Sequence, residues 1–134
     1  MKIYILMPTY NDGKSIIETL NSVIMQTYNN WNLIIVDDGS KDDTRQIVES
    51  FIKEKELMGK IKYIYQENAD QLNAIKNGMK YIEEDNSLVY ILHSDDLLTD
   101  KFVFEKAAKY FEKNNCDAIL GDLDLIDGNS NNIG

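Results

Sequence analysis

Short apolar runs alternate with stretches of helical periodicity along nearly the whole of this chain, and that alternation leaves few folds open. The runs cover residues 3–7, 33–36, 61–65, 88–92 and 118–123. Between them apolar residues recur every three or four positions. The first such set is Ile16, Ile17, Leu20, Val23 and Ile24, and the second Ile47, Val48, Phe51 and Ile52. The third is Leu72, Ile75, Met79 and Ile82, and the fourth Phe104, Ala107, Ala108 and Phe111. The resulting order, β-α-β-α-β-α-β-α-β, predicts an α/β domain of three layers: a mostly parallel central sheet with helices on both faces. Ser40, with Asp43 three residues on, reads as a capping box opening the second helix.

In open sheets of this kind ligands bind beyond the carboxyl ends of the strands, where the winding reverses. Two aspartate doublets fall at that edge. Asp37-Asp38 closes the second run and Asp95-Asp96 closes the fourth, after His93-Ser94. Adjacent carboxylates repel, so four of them at strand ends point to a cation or a donor-rich ligand between them. Helix capping accounts for Ser40, Asp42 and Asp43 but not for Asp37 and Asp38, which precede the cap. After the first run comes Met7-Pro8-Thr9-Tyr10-Asn11-Asp12, where Tyr10 could stack on a planar ring and Asn11 or Asp12 could cap the next helix. After the third, Asn68 and Asp70 lead into a helix whose interior carries Asn77 and Gly78. Both residues cost helix propensity there, which points to close packing or a polar contact.

Charge narrows the partners. The 134 residues carry 23 acidic against 14 basic side chains, a net charge of −9, which argues against nucleic acid as a ligand. An anionic ligand would therefore meet these carboxylates through a metal ion. Hard oxygen ligands suit Mg²⁺ or Mn²⁺, and Mg²⁺ commonly takes one or two carboxylates plus substrate phosphates. No stretch approaches the roughly 20 apolar residues that span a bilayer. The single cysteine, Cys116, cannot form an internal disulfide and reads as a buried structural thiol in a reducing compartment. His93, the only histidine, reads as a packed or hydrogen-bonded neighbour before a base or ligand. The end of the chain, Asp127-Gly128-Asn129-Ser130-Asn131-Asn132-Ile133-Gly134, is turn chemistry. It marks either an interrupted α/β domain or a dispensable end.

Taken in order, the motifs resemble the nucleotide-binding half of a family 2 glycosyltransferase of the GT-A fold. They are Met7-Pro8-Thr9-Tyr10-Asn11, Gln26-Thr27-Tyr28 before Trp31, Val36-Asp37-Asp38-Gly39-Ser40 with Asp43-Thr44, Asn68 through Asn77-Gly78, Ser94-Asp95-Asp96, and Gly121-Asp122 before Ile126-Asp127. Each is modest alone, and six in this order and spacing are specific.

The resemblance implies a role for each matching position. Tyr10 would pack on the nucleotide base with the Pro8 and Thr9 backbone beside it, and Asp38 would accept a hydrogen bond from the base, uracil by preference. Asp95 would contact ribose or metal, and Asp96 would hold Mg²⁺ or Mn²⁺ on the pyrophosphate. Asn68, Asp70 and Lys76 would lie along the donor site. Two positions depart from the family pattern: His93 stands where many relatives have a further aspartate, and Ala69-Asp70 where small residues, often glycine, are common. The implied reaction moves a sugar from a nucleotide-diphosphate donor to an acceptor glycan or lipid-linked glycan, with inversion, in bacterial surface polysaccharide or glycolipid synthesis. The base that would deprotonate the acceptor is expected beyond Gly134, so residues 1–134 would be the donor-binding part of a longer chain and inactive alone. The implied setting is the cytoplasm, with peripheral association of the full-length protein at the inner membrane face. Two other readings compete. A phosphoacceptor receiver domain would carry its acid pair after the first strand and a lysine after the fifth, where this chain has Pro8-Thr9-Tyr10 and Asp122. A non-catalytic interaction or nucleotide-binding domain would keep the fold without the chemistry.

Overall fold

The computed structural model describes residues 1–114, 116–118, 121, 124–125 and 129. Among these, strands and helices alternate as β1 (Lys2–Thr9), α1 (Ile16–Ile24), β2 (Trp31–Asp37), α2 (Thr44–Glu54), β3 (Ile61–Tyr65), α3 (Gln71–Met79), β4 (Ser87–Ile91) and α4 (Val103–Lys113). The fifth strand expected over residues 118–123 falls largely outside the described residues, as do Asp122, Ile126 and Asp127. Cys116 is half-buried rather than fully buried.

Every strand pair is parallel, in the order β3-β2-β1-β4. The first three strands step outward in one direction, and β4 then returns to the free side of β1. Parallel crossovers are right-handed in nearly all proteins, so a reversal of direction must send the crossover helix to the opposite face. The cores show this. α1, α2 and α4 pack Ile16, Leu20, Val23, Val48, Phe51, Ile52 and Phe104 against Ile3, Ile5, Met7, Leu33 and Ile35. α3, the helix of the reversed crossover, covers Tyr4, Leu6, Ile34 and Val36 with Ala74. β1 and β2 are thus buried on both faces, which explains their unbroken apolar runs.

Two local expectations are corrected. The stripe of Leu72, Ile75, Met79 and Ile82 is buried only in part, Ile75 and Ile82 packing against the core on that face. Leu72 and Met79 are exposed, while Ala74 and Gly78 face the sheet. The cause is close approach: a Cβ on Gly78 would lie 3.1 Å from Val36 Cγ2 and 3.2 Å from Leu6 Cδ2. Asn77 Nδ2 donates to Gln66 Oε1 at 2.9 Å and fixes the rotation, so both costly residues of α3 have a reason. The capping box at Ser40 does not form either. α2 begins at Thr44, its N-cap Asp43 makes no side-chain cap bond, and the Ser40 hydroxyl accepts from the Asn11 amide at 2.9 Å. A contact 29 residues away has taken the group that a local motif would have used.

Candidate functional site

The reversal between β1 and β4 leaves a gap at the carboxyl edge of the sheet, where the four strand-end loops meet. A cleft of about 390 Å³ opens there, lined by Pro8, Thr9, Tyr10, Asp12, Asp38, Asn68, Asp70, Gln71, His93, Ser94 and Asp95. Seven of the residues singled out in the sequence therefore come together: Pro8, Thr9, Tyr10, Asp38, Asn68, Asp70 and Asp95. Asp96 is exposed beside the cleft without lining it, and Lys76 is exposed on α3, away from the lining. Four of the lining residues are aspartates and none is Lys or Arg.

Asp37 and Asp38 are both buried. Asp37 Oδ1 accepts from the Ser40 amide at 2.8 Å and Oδ2 from the Tyr63 hydroxyl. Burial, and then the bond to Asp37, push the Tyr63 phenol far above its ordinary value of 10, so it stays protonated as the donor. Asp37 is therefore a structural carboxylate, and the inference that it needs a ligand fails. Asp38 Oδ1 accepts from Gln66 Nε2 and the Ala69 amide, each at 2.8 Å, and Oδ2 from the Asp70 amide at 3.0 Å. A carboxylate offers about four lone-pair sites, so Asp38, which lines the cleft, has room to accept one more hydrogen bond. Gly39 makes the crossing possible. Its φ is +86°, and a Cβ there would stand 2.9 Å from the Asn68 amide nitrogen.

Asp70 pays for that arrangement. Its φ of +100° with ψ of 162° is a region otherwise held by glycine. The conformation is held by its amide on Asp38 and by its carboxylate, which caps α3 through the Asn73 amide at 2.9 Å.

On the other side of the cleft Asp12 does not cap α1, and neither does Asn11. Asp12 Oδ2 accepts from the Ser94 hydroxyl and from Thr9 Oγ1 at 3.3 Å, tying the β1 loop to the β4 loop. Asn11, at φ +54°, accepts from the Lys41 amide at 2.7 Å through its side chain. His93 is hydrogen-bonded to Gln71 Nε2, with its Nδ1 at 2.9 Å. Asp12, read in the sequence only as a possible helix cap, and Ser94, read only as part of the Ser94-Asp95-Asp96 motif, line the cleft, as does Gln71, to which the sequence reading gave no role of its own.

The Asp95 and Asp96 carboxylates accept no hydrogen bond among the described residues. Burial raises the pKa of Tyr90, and the charge of Asp96 raises it further, which places that charge close to the β4 tyrosine. No three His, Cys, Asp or Glu side chains among the described residues are grouped to hold a metal unaided. Two free carboxylates beside a cleft fit a divalent cation that takes its remaining ligands from phosphate and water.

Comparison with known proteins settles the family. The model of glycosyl transferase family 2 matches residues 4–134. The chain belongs to glycosyl transferase family 2. The receiver-domain alternative is thereby set aside. Among the chain's relatives is the UDP-Glc:alpha-D-GlcNAc-diphosphoundecaprenol beta-1,3-glucosyltransferase WfgD of Escherichia coli, 32% identical over 130 residues, which cover 96% of this chain and 48% of WfgD. The S. aureus TarS 1-349 structure in complex with UDP-GlcNAc superposes with a TM-score of 0.74 at 29% identity, over 86% of this chain and 32% of TarS. A mannosyltransferase of Pyrobaculum calidifontis, in complex with GDP-Man and Mn²⁺, shares the GT-A fold at a TM-score of 0.76 and 20% identity, over 82% of this chain and 32% of that one. The chain spans 40%, 42% and 48% of the lengths of three curated relatives.

Proposed function

We propose that this chain is the donor-binding part of an inverting glycosyltransferase that takes a UDP-sugar and passes the sugar to an acceptor glycan or lipid-linked glycan in bacterial surface polysaccharide or glycolipid synthesis. The observation that carries this reading is the contrast at the cleft: Asp38 has room for one further hydrogen bond on the β2 side, and on the β4 side the Asp95 and Asp96 carboxylates accept none among the described residues. In this assignment Tyr10, half exposed at the rim, stacks on the uracil ring beside the Pro8 and Thr9 backbone. Asp38 takes the uracil N–H, the one hydrogen bond its oxygens still have room for. Asn68 and Asp70 stand along the sugar side of the cleft. Lys76, exposed on α3, keeps only a peripheral role.

The lining offers no cation of its own, so a diphosphate needs one brought in. Asp96, with Asp95, would hold Mg²⁺ or Mn²⁺. When bound, the ion neutralises charge developing on the departing diphosphate. The protein residues orient the donor so that the anomeric carbon faces the open side of the cleft, where an acceptor hydroxyl can approach in line. The base for that hydroxyl is assigned to the longer protein beyond residue 134, consistent with relatives more than twice this length. Residues 1–134 therefore bind donor without completing transfer. Among the described residues no helix is long and apolar enough to cross a membrane. The assigned setting is the cytoplasm, with the full-length protein reaching lipid-linked acceptors by peripheral association at the inner face.

Titration calorimetry with UDP, with and without Mn²⁺, tests the reading. Binding should tighten with Mn²⁺, and Asp96→Ala should abolish that increment. Equal binding by wild type and Asp96→Ala would remove the metal assignment, and no nucleotide binding at all would favour the non-catalytic alternative.

A further inference from the structure

The β4–α4 connection, residues 92–102, contains these carboxylates, and between the Leu92 amide on the Leu6 carbonyl of β1 and the Phe102 carbonyl under α4 its backbone lies in no strand or helix. Buried backbone polar groups must still find partners. α1 supplies them. Thr19 Oγ1 donates to the Ser94 carbonyl at 2.9 Å. Ser22 Oγ accepts from the Leu98 amide at 3.2 Å while donating to the Thr19 carbonyl at 2.7 Å. Gln26 Nε2 donates to the Asp100 carbonyl at 2.7 Å, and its Oε1 accepts from the Phe104 amide at 3.2 Å. The last bond satisfies an N–H in the first turn of α4, whose own N-cap, Phe102, provides no side-chain bond. Thr27 adds its amide and hydroxyl to the Lys101 carbonyl at 2.9 and 3.1 Å.

A spacing of three residues puts Thr19 and Ser22 on one face of α1, and Gln26 follows just past the C-cap Met25. Thr19 is 0% and Gln26 4% exposed, so this polar stripe serves no solvent-facing purpose. From the opposite side Asp12 accepts from the Ser94 hydroxyl. Ser94, next in sequence to Asp95, is thus held by its carbonyl from α1 and by its side chain from the β1 loop. The backbone is thus held at Ser94 before the doublet and at Leu98 and Asp100 after it, while the two carboxylates accept no hydrogen bond among the described residues.

We propose that the Thr19–Ser22–Gln26 stripe is a positioning element that sets the Asp95-Asp96 loop for a cation-bound diphosphate. The ligand in this inference rests on the functional reading above. The stripe touches no substrate and acts through the loop backbone, as outer-shell groups do when they orient metal ligands; loss of such groups costs about 10–100-fold in metal affinity.

The test uses Thr19→Val, which keeps the shape and removes the donor, with Ser22→Ala as a second variant in case the first does not fold, and Thr19→Ser to restore the hydroxyl. Amide hydrogen exchange on the ligand-free protein should quicken at residues 94–98 in Thr19→Val and stay unchanged in β1 and β2. Uridine affinity should hold within about twofold, whereas the tightening of UDP binding by Mn²⁺ should fall about tenfold or more. Thr19→Ser should recover both. A lower melting temperature with the Mn²⁺ increment and the exchange at 94–98 intact would overturn the proposal and leave the stripe a stability element only. Wild type with no Mn²⁺ increment would instead overturn the functional reading and the ligand named here, while faster exchange confined to 94–98 would still sustain the clamp.

Discussion

Asp37-Asp38 and Asp95-Asp96 look alike in the sequence and behave oppositely in the fold. The first pair is buried, and its four oxygens take five donors from the protein: Ser40, Tyr63, Gln66, Ala69 and Asp70. The second pair is exposed and takes none among the described residues. A carboxylate doublet at a strand end is therefore not one signal. It can be consumed in holding loops together, or it can be held ready by other groups, and only the supply of neighbouring donors distinguishes the two.

The largest effect should come from Asp37→Ala. Two hydrogen bonds to a charged acceptor are lost and the Tyr63 hydroxyl is stranded, a cost of about 3–5 kcal/mol, or a fall in melting temperature of about 10 °C or more. Asp95→Ala and Asp96→Ala should leave the melting temperature in place, as exposed side chains without partners do. If all of them melted alike, the contrast between the doublets would be broken. Asp38→Ala should come next, at about 1–3 kcal/mol, because water can reach the donors that it frees on the exposed 67–70 loop. Its sharper signature is faster proteolysis or amide exchange at residues 67–71, with UDP affinity falling even in the absence of Mn²⁺. The smallest effect is alkaline. Tyr63 has its folded pKa raised above the unfolded value of about 10, so its contribution is fully present below that pH and is lost as pH rises above it. Melting temperature should decline above pH about 10, and less steeply in Tyr63→Phe.

Much of this was legible from the chain. β1 and β2 read clearly because both of their faces are buried, and the face taken by α3 follows from handedness once the strand order is known. Gly78 and Asn77 announced themselves by costing helix propensity, and the packing against Leu6 and Val36 and the bond to Gln66 explain them. What the chain hid were contacts between distant loops. Ser40 and Asp43 match a capping box, but Asn11 claims the Ser40 hydroxyl. Asp37 looked unexplained because Tyr63, its buried partner, lies 26 residues away on another strand. Gln26 stood out only as part of a motif, since neither of its partners, Asp100 and Phe104, is near it in sequence.

The span of those contacts also orders events in time. The hydrogen bonds that build the Asp38 side of the cleft join residues 28 to 32 apart. Those that fix the Asp95 side join residues 74 to 82 apart. Contacts of long sequence separation form late, because the chain between them must be ordered first. During synthesis the Asp38 side can close once its loop partner at residue 70 has emerged. The other side must wait until Phe104 is available to meet Gln26. Of the two walls, the one that carries Asp95 and Asp96 is the one whose partners become available last.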